Sequence, residues 1–272
     1  MKPLIKWSGG KRNELDKLKP WYPKEWKVYI EPFAGGASAF FDLQPNKSIL
    51  SDTHKELINF YKQIQQGNGA KIYKLMKQYN NTEKEYYYIR DEFKPKNAIE
   101  EAFVFFYLRK TCYRGMLRYN SQGKFNIPFG RYKTFFYEVL LDKDYINILK
   151  NTIVLNKDFN TLFSQHDNKD NFIFLDPPYD CKFKKYNGFQ DFGKQEHQQL
   201  AKWFKKTQNR CLLVISETDF IKKLYKGYIK GKYKKKYAFK IHSGRVGKSI
   251  DKNHLIITNY SKEATNGNSP HN

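Results

Sequence analysis

The run Phe172-Ile173-Phe174-Leu175-Asp176-Pro177-Pro178-Tyr179 puts a carboxylate, two prolines and an aromatic ring at the end of an apolar stretch. Asp176 can accept a hydrogen bond from an aromatic amino group. The prolines lack backbone donors and fix the chain so that the Pro177 carbonyl can accept the amine's second hydrogen. An amine held this way is steered out of conjugation with its ring. Its lone pair is then available for in-line attack on an electrophilic methyl, while Tyr179 offers a stacking face. No covalent enzyme intermediate is needed. Asp-Pro-Pro is also an ordinary strand-ending turn, so the tetrapeptide gains meaning from what accompanies it.

Two further constellations accompany it. Val28-Tyr29-Ile30-Glu31 is a short strand, followed by the turn Pro32-Phe33-Ala34-Gly35-Gly36-Ala37-Ser38 and the apolar Ala39-Phe40-Phe41. Strand, glycine turn and helix start form the first half of a Rossmann-like unit. Ser48-Ile49-Leu50-Ser51-Asp52 is a second strand ending in an acid 17 residues beyond Gly35, a spacing that suits a ribose-binding carboxylate. An adenosine cofactor fits between them. Gly35-Gly36 alone would serve any tight bend and lacks the full GxGxxG pattern. Lys6-Trp7-Ser8-Gly9-Gly10-Lys11 looks like a phosphate loop, but it lacks the four-residue spacer and the Ser/Thr ending, and no strand precedes it. Nucleotide hydrolysis is not expected.

The elements that must position these residues are those of an α/β protein. Strands are expected at Thr152–Leu155, Phe172–Leu175, Cys211–Ile215, Tyr237–Ile241 and His254–Thr258, with helices over Gln195–Lys206 and Asp219–Tyr225. From about Lys55 to Lys110 apolar residues such as Leu57, Ile58, Tyr61, Ile64, Phe103 and Phe106 recur at helical steps. That many helices cannot be one crossover. The expected organisation is a core over 1–55 and 148–260, a helical insertion over 56–147 carrying a basic, glycine-containing loop at 112–133, and a disordered polar tail over 261–272.

The 272 residues include 50 basic and 27 acidic ones, a formal charge of +23 that normally answers a polyanion. Abundant Lys, Asn, Tyr, Phe and Ile would also follow from an AT-rich genome, yet the charge is clustered. Arg109–Lys133 holds seven basic and no acidic residues, and Phe220–Ile250 holds eleven and none. Nucleic acid is the expected partner. Cys112, Cys181 and Cys211 lie far apart, and His54, His166, His197, His242 and His254 show no metal-ligand spacing, so neither a disulfide framework nor a metal is expected. No stretch approaches about 18 uncharged apolar residues, and the start lacks a signal peptide. An intracellular protein with no membrane contact and no obligate protein partner is expected.

Over residues 4 to 260, in order, these motifs resemble the Dam-type DNA adenine methyltransferases of the D12 class, alpha group. Lys6–Lys11 is similar to the family's N-terminal cofactor motif, Glu31–Gly36 to its glycine motif, Asp52 to its ribose acid, and Asp176–Tyr179 to its catalytic tetrapeptide. The resemblance implies a Rossmann-like core that uses S-adenosylmethionine, releases S-adenosylhomocysteine and methylates the 6-amino group of an adenine flipped out of duplex DNA. It implies Asp176, Pro177, Pro178 and Tyr179 as catalytic residues, and Trp7, Lys11, Phe33, Gly35, Asp52 and Asp176 as cofactor contacts. Segment 113–133 is similar to the family's DNA-reading hairpin. The DNA contacts implied are Lys6, Tyr113 as intercalating ring, Arg114, Met116, Arg118 as guanine reader, Asn126, Pro128, Arg131 and Lys133, in keeping with bidentate arginine readout of guanine and aromatic filling of an extruded base's place.

Two departures stand out. Ala37 replaces a further glycine, for which a modest effect on cofactor fit is expected. Arg114 stands where the GATC enzymes commonly carry asparagine, so GATC is only weakly favoured over other short adenine-containing sites. Methylation of RNA or of a protein amide by the same chemistry, and an inert nucleic-acid-binding protein on the same fold, are the alternatives.

Overall fold

The computed structural model describes residues 1–179, 192–237 and 250–262. Seven strands form one sheet: β1 (Tyr29–Glu31), β2 (Ser48–Ser51), β3 (Thr152–Leu155), β4 (Phe172–Leu175), β5 (Arg210–Ser216), β6 (Ile229–Tyr237) and β7 (Ile250–Thr258). Their order is β3-β2-β1-β4-β5-β7-β6. Neighbours from β3 to β5 pair in parallel, whereas β7 runs antiparallel to both β5 and β6.

Strict alternation divides the central strands between two helical layers. Tyr29, Leu50, Phe172, Phe174, Leu212 and Val214 face one layer; Ile30, Ile49, Ile173, Leu175, Cys211 and Leu213 face the other. Because helices cover both faces, β4 is apolar at every position, as buried parallel strands are. The first layer contains α1 (Leu15–Leu18), α2 (Ser38–Leu43), α3 (Lys55–Gln65), α4 (Gly69–Met76), α5 (Glu83–Tyr87), α6 (Ala98–Thr111) and α7 (Lys143–Lys150). The second contains α8 (Phe159–Gln165), α9 (Lys194–Lys206) and α10 (Asp219–Leu224).

Helix α6 runs through the middle of the first layer. Asn97 caps it by accepting from the Ile99 and Glu100 amides at 3.0 Å, and it buries Ala102, Phe103, Phe105, Phe106, Tyr107 and Leu108. Phe106 stacks on Phe60 of α3 at 5.2 Å between ring centroids. The helices between β2 and β3 therefore share one continuous core with the sheet.

One strand goes beyond the expectation. The structure starts β6 at Ile229 and ends it at Tyr237, whereas the sequence expectation began at Tyr237; residues 238–241 lie outside the described residues. A polar edge strand with few apolar residues gives little periodic signal. Cys181, the connection His242–Lys248 and most of the expected tail also lie outside the described residues.

Candidate active site

In a doubly wound sheet the chain reverses direction across the sheet at a switch point, and the strand ends there form a crevice. Here β1 and β4 are neighbours although β2 and β3 intervene in sequence. Glu31 ends β1 and Asp176 follows β4, so two acids flank the crevice. Asp52 follows β2 beside them.

Lys11 joins the N-terminal segment to the tetrapeptide. Its Nζ donates to Asp176 Oδ1 at 2.5 Å, to the Tyr179 hydroxyl at 2.5 Å and to the Gly9 carbonyl at 3.1 Å. The Lys11 side chain is only 2% exposed, against 19% for Asp176. Burial lifts the Asp176 carboxyl above its ordinary range, and the Lys11 ammonium works in the opposite direction. Pro177 is buried and Pro178 exposed.

Behind Tyr179 lies a polar cluster that sequence reasoning missed. The Tyr179 ring meets His254 of β7 edge to face at 5.2 Å. His254 Nδ1 lies 3.2 Å from Glu14 Oε2, the Tyr233 hydroxyl donates to that oxygen at 2.5 Å, and Lys235 pairs with Oε1. Burial alone would raise the Glu14 carboxyl, but His254, Lys235 and Tyr233 outweigh it and hold the group down at about 2. These residues are far apart in sequence, so no local pattern announces them.

The glycine turn and Asp52 are knit together. The Gly35 amide donates to Asp52 Oδ2 and the His54 amide to Oδ1, each at 2.9 Å. Burial nevertheless raises the Asp52 carboxyl. Gly35 has φ +46, and a Cβ there would sit 2.6 Å from the Trp7 ring, so only glycine lets the indole lie on the turn. Tyr61 supports the turn from α3 through its hydroxyl, 2.8 Å from the Gly35 carbonyl. Phe33 packs on Phe159, at the start of α8, at 5.6 Å. Thus Trp7, Gly35 and Asp52 meet at one end of the crevice and Lys11, Asp176 and Tyr179 at the other.

Glu31 is a second residue whose importance was not legible. It is buried and accepts from the Tyr29 hydroxyl at 2.9 Å. Burial, reinforced by Asp176 and Asp52, pushes its carboxyl up to about 8. Ala37 adopts φ 50, the left-handed backbone that glycine tolerates best, at the entry to α2.

The basic loop is an irregular hairpin pinned by antiparallel bridges Cys112–Phe129 and Tyr119–Phe125. Arg118 Nε donates to Asn126 Oδ1 at 2.8 Å and its Nη2 to the Asn126 carbonyl at 3.2 Å, which fixes the guanidinium. The Tyr113 amide donates to the Pro128 carbonyl at 2.8 Å. Arg114, with φ 55, lies over the Tyr113 ring at 5.5 Å. Met116 is exposed, as are Lys6, Arg114, Pro128, Arg131 and Lys133. Arg131 sits apart from the others, paired with Glu83 at 3.3 Å.

Arg109 and Tyr119 tie the hairpin to the segments beside the glycine turn. Arg109, 1% exposed, donates from Nη1 to the Met116 carbonyl at 2.7 Å and from Nη2 to the Lys6 carbonyl, and lies 5.2 Å from the Trp7 ring. The Tyr119 hydroxyl bonds His54 Nε2 at 3.1 Å and Glu56 at 2.5 Å. Burial, aided by Arg109, lowers the His54 imidazole to about 4, so it is neutral. A cavity of about 620 Å³ opens nearby, between α3, α6 and the hairpin, outside the catalytic crevice. Among the described residues no helix is long and apolar enough to cross a membrane.

A seven-stranded α/β sheet with β7 reversed and acids at the ends of β1, β2 and β4 defines a Rossmann-like methyltransferase fold. The family model for D12 class N6 adenine-specific DNA methyltransferases matches residues 7–250, and the chain belongs to that family. It is 51% identical over 262 residues to the type II methyltransferase M.CviBI of Paramecium bursaria Chlorella virus NC1A, covering 96% of this chain and 100% of that one. The type II methyltransferase M.MjaIII of Methanocaldococcus jannaschii is 35% identical over 260 residues, covering 84% and 89%. The DNA adenine methylase of Haemophilus influenzae is 29% identical over 240 residues, with 83% of each chain covered. The protein is an adenine-specific DNA methyltransferase.

Proposed function

We propose that this enzyme transfers a methyl group from S-adenosylmethionine to the 6-amino group of an adenine flipped out of duplex DNA. The observation that carries the reading is the Lys11 bridge, which binds Asp176 and Tyr179 within the crevice whose other end holds Trp7, Gly35 and Asp52.

The residues present fit the cofactor. Asp52 is fixed by two backbone amides and offers carboxylate oxygens to ribose hydroxyls. The Cβ-free Gly35 turn leaves backbone close to Trp7, and Phe33 with Phe159 supplies apolar surface for a purine. When bound, S-adenosylmethionine supplies a sulfonium-activated methyl group.

Asp176 and the Pro177 carbonyl would accept the two amino hydrogens of adenine, and Tyr179 would hold its ring. Lys11 sets the carboxylate's orientation by engaging Oδ1. Methylation leaves the amino nitrogen one proton in excess, and Asp176, accepting a hydrogen bond from that amine, would take the proton on its way to solvent. Arg118, oriented by Asn126, would read guanine from the major groove, with Lys6, Tyr113, Met116 and Pro128 near the bases and Arg114, Arg131 and Lys133 near phosphates. Their contacts would offset the few kcal/mol that base flipping costs. GATC is the favoured site.

Asp176→Ala tests the assignment. Methylation should vanish while duplex binding stays within a few-fold of wild type; a variant that still methylates adenine would remove Asp176 from the mechanism.

A further inference from the structure

Strand β6 presents Lys230, Lys232, Lys234 and Lys236 as exposed residues, while Gly231, Tyr233 and Lys235 between them are half-buried. Successive strand side chains point to opposite faces. The odd residues turn toward Trp21 and Glu14. Lys232, Lys234 and Lys236 share the opposite face with Leu255, the cross-strand neighbour of Lys232, which packs in the layer of α10, while the register shift between Ile229 and Gly231 puts Lys230 at a bulge where the row begins. Exposed Lys223 of α10 and Lys226 beyond it extend the charge on that face. Among the described residues, none of the four strand lysines forms an ion pair. Lys236 does face Asp251 across the ribbon, so Lys230, Lys232 and Lys234 dominate the field.

The ladder is placed to meet a duplex bound at the crevice. Ser216, at the carboxyl end of β5, pairs with His254, and His254 pairs with Tyr233. His254 also packs on Tyr179. Residues 234–237 therefore continue past the end of the parallel strands, beside the tetrapeptide, while Lys232 is level with Ile215 and Lys230 lies lower on the sheet edge. Two strand residues advance about 6.8 Å, and phosphates along one strand of B-DNA advance about 3.4 Å each. The lysines thus reach along a stretch of backbone that spans several phosphates.

We propose that this ladder grips the phosphate backbone of the substrate duplex outside the recognition sequence, as a DNA contact separate from the hairpin at 112–133. The inference rests on the reading of the chain as a duplex-DNA methyltransferase. Lysines on an edge strand also discourage edge-to-edge pairing, a role that predicts no salt-linked effect on DNA.

The test is binding of the full chain across a salt series to two duplexes, one just covering the recognition sequence and one extended on both sides. Wild type should show the steeper salt dependence on the long duplex. Combined Lys230→Gln, Lys232→Gln and Lys234→Gln should remove that difference, about 0.9 in log–log slope for each lysine that meets a phosphate. Binding and methylation of the short duplex should be unchanged, and Lys→Arg at the same positions should keep the wild-type slopes. A glutamine variant that retains the long-duplex slope, or loses slope equally on both duplexes, overturns the ladder. Failure of the underlying reading looks different: wild type would not methylate adenine in the short duplex.

Discussion

Lys11 joins the N-terminal segment to the tetrapeptide, because its buried side chain meets both Asp176 and Tyr179. Hydrogen bonds to charged groups contribute about 1.5–3 kcal/mol, so Lys11→Met should lower kcat/KM for methylation roughly 10- to 100-fold. Unchanged steady-state kinetics would show that Asp176 needs no such support. Glu31 gives a pH prediction. Its carboxyl rises from 4.5 to about 8 on folding, so the folded chain keeps a proton that the unfolded chain has released. Stability from this group is full below about 4.5 and falls as pH rises toward 8. Glu31→Gln, which can still accept from Tyr29, should match wild type near pH 5 and exceed it near pH 8 in denaturant unfolding. Equal loss at both values would contradict the neutral-carboxyl account. Arg114 carries a third prediction, because its φ of 55 suits asparagine better than arginine. Arg114→Asn should stabilise the fold by a few tenths to about 1 kcal/mol, while lowering the salt slope of DNA binding by about 0.9 if Arg114 meets a phosphate. The asparagine common in GATC enzymes thus has a backbone reason as well as any reading role.

At the scale of elements, the hairpin and the N-terminal segment that carries Lys6 and Trp7 are held by one buried guanidinium. Arg109→Ala would strand the carbonyls of Lys6 and Met116 and uncover the Trp7 face. Losing buried partners costs about 1–3 kcal/mol per group, so urea unfolding should shift by roughly 3 kcal/mol, with weaker cofactor binding. A shift under about 0.5 kcal/mol, as at ordinary surface sites, would show that the link is dispensable. This scale also shows what the sequence could reveal. Strands β1, β2 and β4 are legible because their apolar runs end at Pro32, Asp52 and Asp176, and β3 and β5 because Thr152-Ile153-Val154-Leu155 and Cys211-Leu212-Leu213-Val214-Ile215 are unbroken apolar, β-branched runs. The ion pair of Lys11 with Asp176 spans 165 residues, and the contact of Glu14 with Tyr233 spans 219, so only the closed sheet brings them together. Residues 229–236 of β6 are not legible as a strand because they alternate lysine with tyrosine and glycine more than apolar with polar.

At the scale of the molecule, basic residues without acidic neighbours in sequence are concentrated in the hairpin and in the lysine-rich strand at the sheet edge, within a chain of charge +23. The crevice at the switch point lies between them, where substrate would meet Asp176. Family membership fixes adenine in DNA as the target class, whereas the geometry accounts for how the amine and the cofactor would be held. The most direct measurement incubates the protein with methyl-tritiated S-adenosylmethionine and unmethylated duplex DNA, digests the product and separates the nucleosides. The account predicts label in N6-methyladenine, in duplex DNA and not in structured RNA. Label in cytosine, or no label in DNA while RNA is modified, would contradict it.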